Sequence, residues 1–152
     1  MCYQFNRLVL LAFIAVSLFC VSLTASAEQK KAFGPYDVHY SVLTTTFISP
    51  DTAKRYGITR GKNRALLNIA VRKRLENGST RAQHAIVKGS SSDLIHSVDL
   101  PFTEITEQDA IYYLAEFRFF HKEMRTFTIK IQPDPNIAAY TLKFSKSLYN
   151  DK

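Results

Sequence analysis

Apolar and polar residues alternate along most of the chain, in short runs separated by glycine, proline and asparagine. Every second position is apolar from residue 36 to 42, from 65 to 71 and from 127 to 131. A period of two places successive side chains on opposite faces of a β-strand, so these runs predict half-buried strands. The run 110–120 is apolar on both faces at its start, which is typical of a central strand.

Glycine, proline and asparagine predict the turns between these runs. Ser49 and Pro50 suit the start of a helix and Gly57 suits its end, so residues 49–57 predict one short helical turn. Asn77-Gly78 predicts a hairpin, and we expect its return strand over residues 80–88. Residues 89–92 (Gly-Ser-Ser-Ser) are interpreted as a polar loop and residues 29–32 as a linker.

The spacing of strands and turns predicts the fold class. About seven to eight short strands with regular turn signals favour an all-β, immunoglobulin-like, two-sheet antiparallel β-sandwich. The chain has no long amphipathic helical pattern, which disfavours α/β and helical-bundle folds. Its 152 residues suit one domain.

The first 27 residues have the pattern of a secretory signal peptide. Arg7 supplies positive charge, residues 8–23 are apolar, and residues 25–27 (Ala-Ser-Ala) form a small-x-small cleavage site. We therefore expect export through the Sec pathway and one mature domain of residues 28–152, located in the periplasm. An uncleaved membrane anchor is the alternative, because the apolar segment is at the long end of the usual range. After cleavage we expect no transmembrane span.

Cleavage changes the composition. The mature chain would have 125 residues, with 19 basic and 13 acidic side chains and a net charge of +6. Both cysteines, Cys2 and Cys20, would leave with the signal segment. A chain without thiols excludes a cysteine nucleophile, cysteine-ligated zinc, iron–sulfur clusters and disulfides.

The positive charge is concentrated between residues 52 and 75, where eight basic residues occur without an acid. Such a run predicts an anion-binding or partner-binding face, although lysine and arginine also protect solvated sheet edges. Residues 56–64 combine glycines, an aromatic residue and polar side chains, as binding loops do, but residues 62–64 could instead satisfy backbone carbonyls. The candidate binding residues are Lys54, Arg55, Arg60, Lys62, Asn63, Arg64, Arg72, Lys73 and Arg74.

Residues with catalytic potential are dispersed along the chain. The histidines at 39, 84, 96 and 121 lack metal-binding spacings, so we predict neither a metal nor another cofactor. The serines at 90–92 lack an activating motif. The aromatic residues of 112–120 are interpreted as core rather than as a sugar-stacking platform. A hydrolase assembled from Asp37, His39 and the carboxylates of 104–109 stays open, although the sequence favours a protein that is not an enzyme.

Four stretches together resemble one bacterial family. They are residues 33–41 (FGPYDVHYS), 62–68 (KNRALLN), 109–119 (DAIYYLAEFRF) and 140–144 (YTLKF). In this order they resemble the exported family catalogued as domain-of-unknown-function family 4426, over essentially the whole mature chain. The resemblance implies an envelope protein of Gram-negative bacteria and implies no activity.

These observations predict a monomeric periplasmic module that binds rather than catalyses. The expected partner is another envelope protein, contacted through residues 54–74. An anionic envelope polymer, either a glycan or a lipid surface, is the alternative for the same residues. Nucleic acid is not an expected partner despite the isoelectric point of about 9.5, because an exported protein meets little of it.

Overall fold

The computed structural model describes residues 29–93 and 95–150, so the predicted signal segment lies outside the described residues. The described residues form ten strands, a 3-10 turn (Thr45–Phe47) and one helix, α1 (Pro50–Tyr56). The strands are β1 (Gln29–Phe33), β2 (Tyr36–Thr44), β3 (Arg64–Arg74), β4 (Thr80–Ala82), β5 (Ile86–Ser92), β6 (Ser97–Leu100), β7 (Thr103–Glu107), β8 (Ala110–Arg118), β9 (Glu123–Gln132) and β10 (Tyr140–Leu148).

The ten strands form two antiparallel sheets. The first sheet has the order β1-β2-β3-β8-β7, and β4 pairs with the part of β3 that β8 leaves unpaired. The second sheet has the order β10-β9-β5-β6. The chain crosses between the sheets after β4, after β6 and after β8. The all-β, two-sheet antiparallel sandwich is therefore confirmed, with ten described strands rather than seven or eight; the immunoglobulin-like strand order stays a prediction.

The core lies between the two sheets and follows the alternation of the sequence. In β3 the odd positions Leu67 and Ile69 are fully buried, as are Phe127 and Ile129 of β9. Rings from both sheets meet in the core, with the centroids of Phe117 and Phe127 5.3 Å apart. Burying one such large apolar side chain contributes about 1.5–3 kcal/mol, so these rows hold the two sheets together.

The predicted helical turn is confirmed as α1. The Ser49 hydroxyl accepts a hydrogen bond from the backbone N–H of Thr52 at 3.2 Å, and Gly57 ends the helix with a φ of 66°. The segment lies over the outer face of the first sheet, where the Tyr56 hydroxyl donates to Glu107 of β7. Ala53 is buried there. None of the helices among the described residues is long and apolar enough to cross a bilayer.

The return strand predicted over residues 80–88 is wrong. Only residues 80–82 pair with β3, and the chain then leaves for the second sheet. Hydrogen bonds hold this crossing, because the N–H of Gln83 donates to the Val71 carbonyl at 2.9 Å and that of Ala85 to the Tyr113 hydroxyl at 2.7 Å. The linker predicted at residues 29–32 is also wrong, since this segment is β1 and pairs with β2.

The loop predicted at residues 89–92 is wrong, because these residues belong to β5 and are buried or half-buried. The neighbouring strand approaches Gly89 so closely that a Cβ there would lie 2.7 Å from the Thr128 carbonyl oxygen. Ser91 is fully buried and its hydroxyl accepts a hydrogen bond from Arg125 Nη1 at 2.9 Å. Small polar residues therefore form a strand here because tertiary contacts override local preference.

Candidate binding face

Strand β3 separates the candidate binding residues into two groups. It runs from Arg64 to Arg74, and at about 3.3 Å per residue its ends are about 33 Å apart. We call the end at which β3 begins, and β2 and β8 end, the apical end, and the opposite end the basal end. The apical end therefore has the candidates from Arg60 to Arg64, which contact β8 and the 3-10 turn, and the basal end has those from Arg72 to Arg74. Lys54 and Arg55 lie on α1, over the outer face of the first sheet.

The basal arginines hold two hairpins. Arg74 Nη1 lies 3.0 Å from a carboxylate oxygen of Asp37, whose side chain is only 5% exposed, and Arg74 also donates to the Gly34 carbonyl. Arg72 donates from Nε to the Thr80 hydroxyl at 2.7 Å and from Nη2 to the Thr80 carbonyl at 2.9 Å. These contacts connect β3 to the β1–β2 turn and to β4, so both arginines stabilise the fold.

The apical loop between α1 and β3 is fixed by hydrogen bonds. Both carboxylate oxygens of Glu116 lie 3.2 Å from the backbone N–H of Thr59, which donates to them, and one of them pairs with Arg64 Nη1 at 3.3 Å. Arg60 Nη2 donates to the Thr46 carbonyl at 3.0 Å. The Asn63 carbonyl accepts the N–H of Phe119 at 3.1 Å. The loop backbone is therefore anchored to β8 and to the 3-10 turn.

Four exposed cations of the candidate set lie on α1 or on the anchored loop that follows it. Lys54 and Arg55 lie on α1, and Arg60 and Lys62 lie on the loop that follows it. Within residues 29–93 and 95–150, no ion pair involves any of the four. We call Lys54, Arg55, Arg60 and Lys62 the basic face.

Sequence reasoning missed an exposed apolar group at the apical end. Its members share a position on or beside a turn: Phe47 is 78% exposed, Ile95 84%, Phe120 81%, Met124 64% and Tyr149 58%. Tyr113, Phe117 and Phe119 are buried as predicted, but Phe120 is exposed, and Tyr112 is half-buried and lines the cavities on the outer face of the first sheet. The sequence signal for the exposure of Phe120 is its position after the end of the alternating run and directly before the polar residues His121 and Lys122. We call these five residues the apical tips.

Hydrogen bonds and ring packing order the segments that have the apical tips. The N–H of Phe120 donates to the Glu123 carboxylate at 2.6 Å, which closes the β8–β9 turn. His121 packs edge-on against Tyr149, with centroids 6.1 Å apart. A cavity of about 430 Å³ between the β5–β6 turn and the start of β9 is lined mainly by apolar surface and includes Ile95, Lys122 and Met124.

The residues of the alternative hydrolase site are bound to several different partners. Asp37 pairs with Arg74, and Glu104 lies 3.1 Å from His84 Nδ1. Glu107 and Asp109 line a cavity of about 560 Å³ on the outer face of the first sheet, together with Arg72, Gln108, Ala110 and Tyr112. His39 lines a separate, smaller cavity beside it. In the part of the chain that the structure describes, no three histidine, cysteine or acidic side chains form a group suited to a metal.

Two titratable groups among the described residues have shifted pKa values. Burial raises the pKa of the Tyr113 phenol to about 12, although its oxygen accepts the N–H of Ala85. Hydrogen bonds from the backbone N–H groups of His96 and Ile95 lower the pKa of Asp93. The neighbouring Glu104 carboxylate, which pairs with His84, also raises the pKa of Tyr113. The Asp93 shift accompanies the hydrogen bonds of a turn.

Comparison with known proteins gives the family and the fold. The family described as "Domain of unknown function (DUF4426)" matches residues 30–151. A crystal structure of a DUF4426 family protein from Pseudomonas aeruginosa PAO1 is 33% identical, with a TM-score of 0.70, over 84% of this chain and 99% of that one. No curated protein matches the chain significantly.

Two structures of FetP from uropathogenic Escherichia coli strain F11 share the fold at low identity. The first, of protein as isolated after recombinant expression in the periplasm, is 11% identical with a TM-score of 0.58, over 83% of this chain and 96% of that one. The second, of a copper-bound variant, is 10% identical with a TM-score of 0.54, over 83% and 92%. The FetP likeness concerns the fold alone, whereas the family match and the Pseudomonas protein show that this chain belongs to the DUF4426 family, as its four characteristic stretches predicted.

Proposed function

We propose that the protein is an exported, non-catalytic binding module of the bacterial cell envelope that engages an acidic partner through the basic face. The observation that carries the proposal is the set of four exposed cations without an ion-pair partner among the described residues. The signal-peptide pattern of residues 1–27 supports the location. Copper does not enter the proposal, because the FetP likeness concerns the fold alone.

The anchored backbone supports a binding role for this face. Glu116 and Thr45 hold the loop, the latter through a hydroxyl that accepts the N–H of Gly61 at 3.0 Å. A loop that is already ordered loses less conformational entropy on binding than a mobile one. A net charge of +6 on the mature chain also accelerates encounter with an acidic surface.

The proposal is tested by co-sedimentation of the mature domain, residues 28–152, with an isolated envelope fraction. One variant combines Lys54→Glu, Arg55→Glu and Lys62→Glu, and it retains Arg60 because Arg60 braces the 3-10 turn. The matched control reverses three exposed lysines of the second sheet, Lys88, Lys130 and Lys143. Both variants change the net charge equally, so only the position of the charges differs.

Wild type and control are expected to bind, and the basic-face variant is expected to bind at least about tenfold more weakly, since three attractive charges become repulsive. Raising the salt concentration should weaken the wild-type interaction, because salt screens exposed charges. Equal binding by the two variants, or no binding by wild type, would contradict the proposal. Protease treatment of the envelope fraction then separates the envelope protein favoured by the sequence from a glycan or lipid partner.

A further inference from the structure

The apical tips belong to three different turns of the sandwich, to the start of β9 and to the end of β10. Phe47 lies in the 3-10 turn after β2, Ile95 in the turn between β5 and β6, and Phe120 in the turn between β8 and β9. Tyr149 follows β10, and its contact with His121 places it beside the third turn. Each of these side chains is more than half exposed.

Hydrogen bonds order the backbone of the turns from which these side chains project. Asp93 Oδ1 accepts the N–H groups of Ile95 at 2.7 Å and of His96 at 2.6 Å, which orders the turn below Ile95. The Ile48 N–H donates to the Thr45 carbonyl at 3.2 Å across Phe47. The backbone polar groups of these turns are hydrogen-bonded, whereas the large apolar side chains stay in solvent. Exposed apolar side chains do not stabilise the fold, and a group of them can mark an interaction site.

Cations surround the apical tips. Lys62 lies on the loop that is bonded to the 3-10 turn, and Arg118 and Lys122 flank Phe120 in sequence; all three are exposed. Of the nearby acids, Glu123 pairs with Arg125 at 2.8 Å, and Asp93 is an anion that accepts two backbone N–H groups and lies 3.7 Å from His96. Apolar side chains that project from a surface with a majority of cations complement an anionic bilayer, in which headgroups meet the cations and the acyl boundary receives the apolar groups.

We propose that the apical end docks on an anionic phospholipid bilayer, with Phe47, Ile95 and Phe120 inserted at the headgroup–acyl boundary and Lys62, Arg118 and Lys122 against the headgroups. This inference rests on the proposed function and names its partner. A lipid surface fits better than a protein, because the central region of protein interfaces is depleted in lysine. It also fits better than a glycan, which has no apolar layer to receive the tips.

The chain has no tryptophan, so a single tryptophan can report insertion. Phe120→Trp places the probe on an apical tip, and Ile86→Trp places it at the basal start of β5, where Ile86 is 53% exposed. The vesicles contain phosphatidylglycerol and phosphatidylcholine in equal amounts, or phosphatidylcholine alone. We expect the emission of Phe120→Trp to shift to the blue only with anionic vesicles, and that of Ile86→Trp to stay unchanged.

Flotation of otherwise native protein on the same vesicles gives the second readout. The double variant Phe47→Ser, Phe120→Ser should float at least about tenfold less than wild type, since each inserted side chain contributes to partitioning. The matched control, Leu75→Ser with Ile86→Ser, removes two exposed basal apolar residues and should float like wild type.

Two results would overturn the inference. One is absence of wild-type binding to anionic vesicles, and the other is equal flotation of the apical and basal variants. If charge reversal on the basic face still abolishes envelope binding while protein-free vesicles bind nothing, the lipid assignment fails and the proposed function stands. If neither assay responds to charge reversal, the proposed function itself fails.

Discussion

Cations lie at both ends of β3, but they make different contacts there. At the basal end, Arg74 pairs with the buried carboxylate of Asp37, and Arg72 donates twice to Thr80. At the apical end, Lys62 is exposed and belongs to no ion pair among the described residues. Arginines hold the chain together at both ends, since Arg64 pairs with Glu116 at the apical end, but the apical end also presents Lys62 to solvent.

The difference follows largely from the chemistry of arginine and lysine. A planar guanidinium donates several hydrogen bonds in fixed directions, so it can bridge a carboxylate and a carbonyl as Arg74 does. A lysine ammonium is a compact, strongly hydrated charge that loses more by being fixed. In a basic run, arginines beside turns are therefore first considered as residues that stabilise the fold. Exposed lysines are the better candidates for binding a partner.

The largest effect is expected from Asp37→Asn at the basal end. The substitution removes the negative charge beside Arg74 and Lys30 in a site that is almost closed to water. Loss of one partner from a largely buried pair should lower the free energy of unfolding by about 2 kcal/mol, less than for a fully buried pair because Arg74 is partly exposed. Urea unfolding measures this value.

The matched control for this prediction is Asp99→Asn, at an exposed position of β6. It should change the free energy of unfolding by less than about 0.5 kcal/mol. If both variants unfold at the same urea concentration, the basal ion pair contributes no stability and the contrast between the two ends is lost.

A smaller effect is expected from Glu116→Gln at the apical end. The carboxylate binds the Thr59 N–H and Arg64, and it is one-quarter exposed. Loss of charge-assisted bonds at a partly exposed site should lower the free energy of unfolding by about 1 kcal/mol. Unlike Asp37→Asn, it should also weaken envelope binding, because Lys62 lies on the loop that Glu116 anchors. Unchanged binding would show that the anchoring of the loop is irrelevant to recognition.

The periodic part of the fold could be predicted from the sequence. The alternation around Leu67 and Ile69 correctly predicted a strand and its buried face, and Ser49 and Gly57 correctly predicted the ends of α1. Residues 89–92 could not be assigned in this way. Gly89 and Ser91 form a strand because Ile129 and Arg125 of β9 approach them, and that contact is absent from any local pattern.

The candidate site could be predicted only in part. A charge run indicates where cations lie in the sequence, but β3 places Arg64 and Arg74 about 33 Å apart. The apical tips were missed for a related reason, because Phe120 continues an aromatic run whose earlier members face the core. Whether the last residue of such a run is buried depends on where the strand ends.

The third prediction concerns pH and a group that holds the crossing after β4. The pKa of Tyr113 is about 12 in the folded state and 10.0 without burial. Above pH 10 the unfolded chain therefore releases this proton while the folded chain keeps it, so stability is lost as the pH rises from 10 to 12. Between about pH 9 and about pH 11, this should lower the free energy of unfolding by about 1 kcal/mol.

Tyr113→Phe provides the control for that pH dependence. Its stability should be lower at neutral pH, because the N–H of Ala85 loses an acceptor, but the part of the alkaline decline that belongs to Tyr113 should disappear. Urea unfolding of both proteins at the two pH values isolates this part, since lysine and the other tyrosines titrate in both. Parallel declines would contradict the raised pKa.

The smallest effect is expected from Lys62→Glu, and it tests the comparison most directly. An exposed lysine without an ion pair contributes little to folding, so the free energy of unfolding should change by less than about 0.5 kcal/mol. Urea unfolding measures this value, and co-sedimentation with the envelope fraction should show weaker binding of the same variant. If Lys62→Glu instead destabilised the protein as much as Asp37→Asn, Lys62 would stabilise the fold as Arg74 does, and the contrast between the two ends of β3 would be lost.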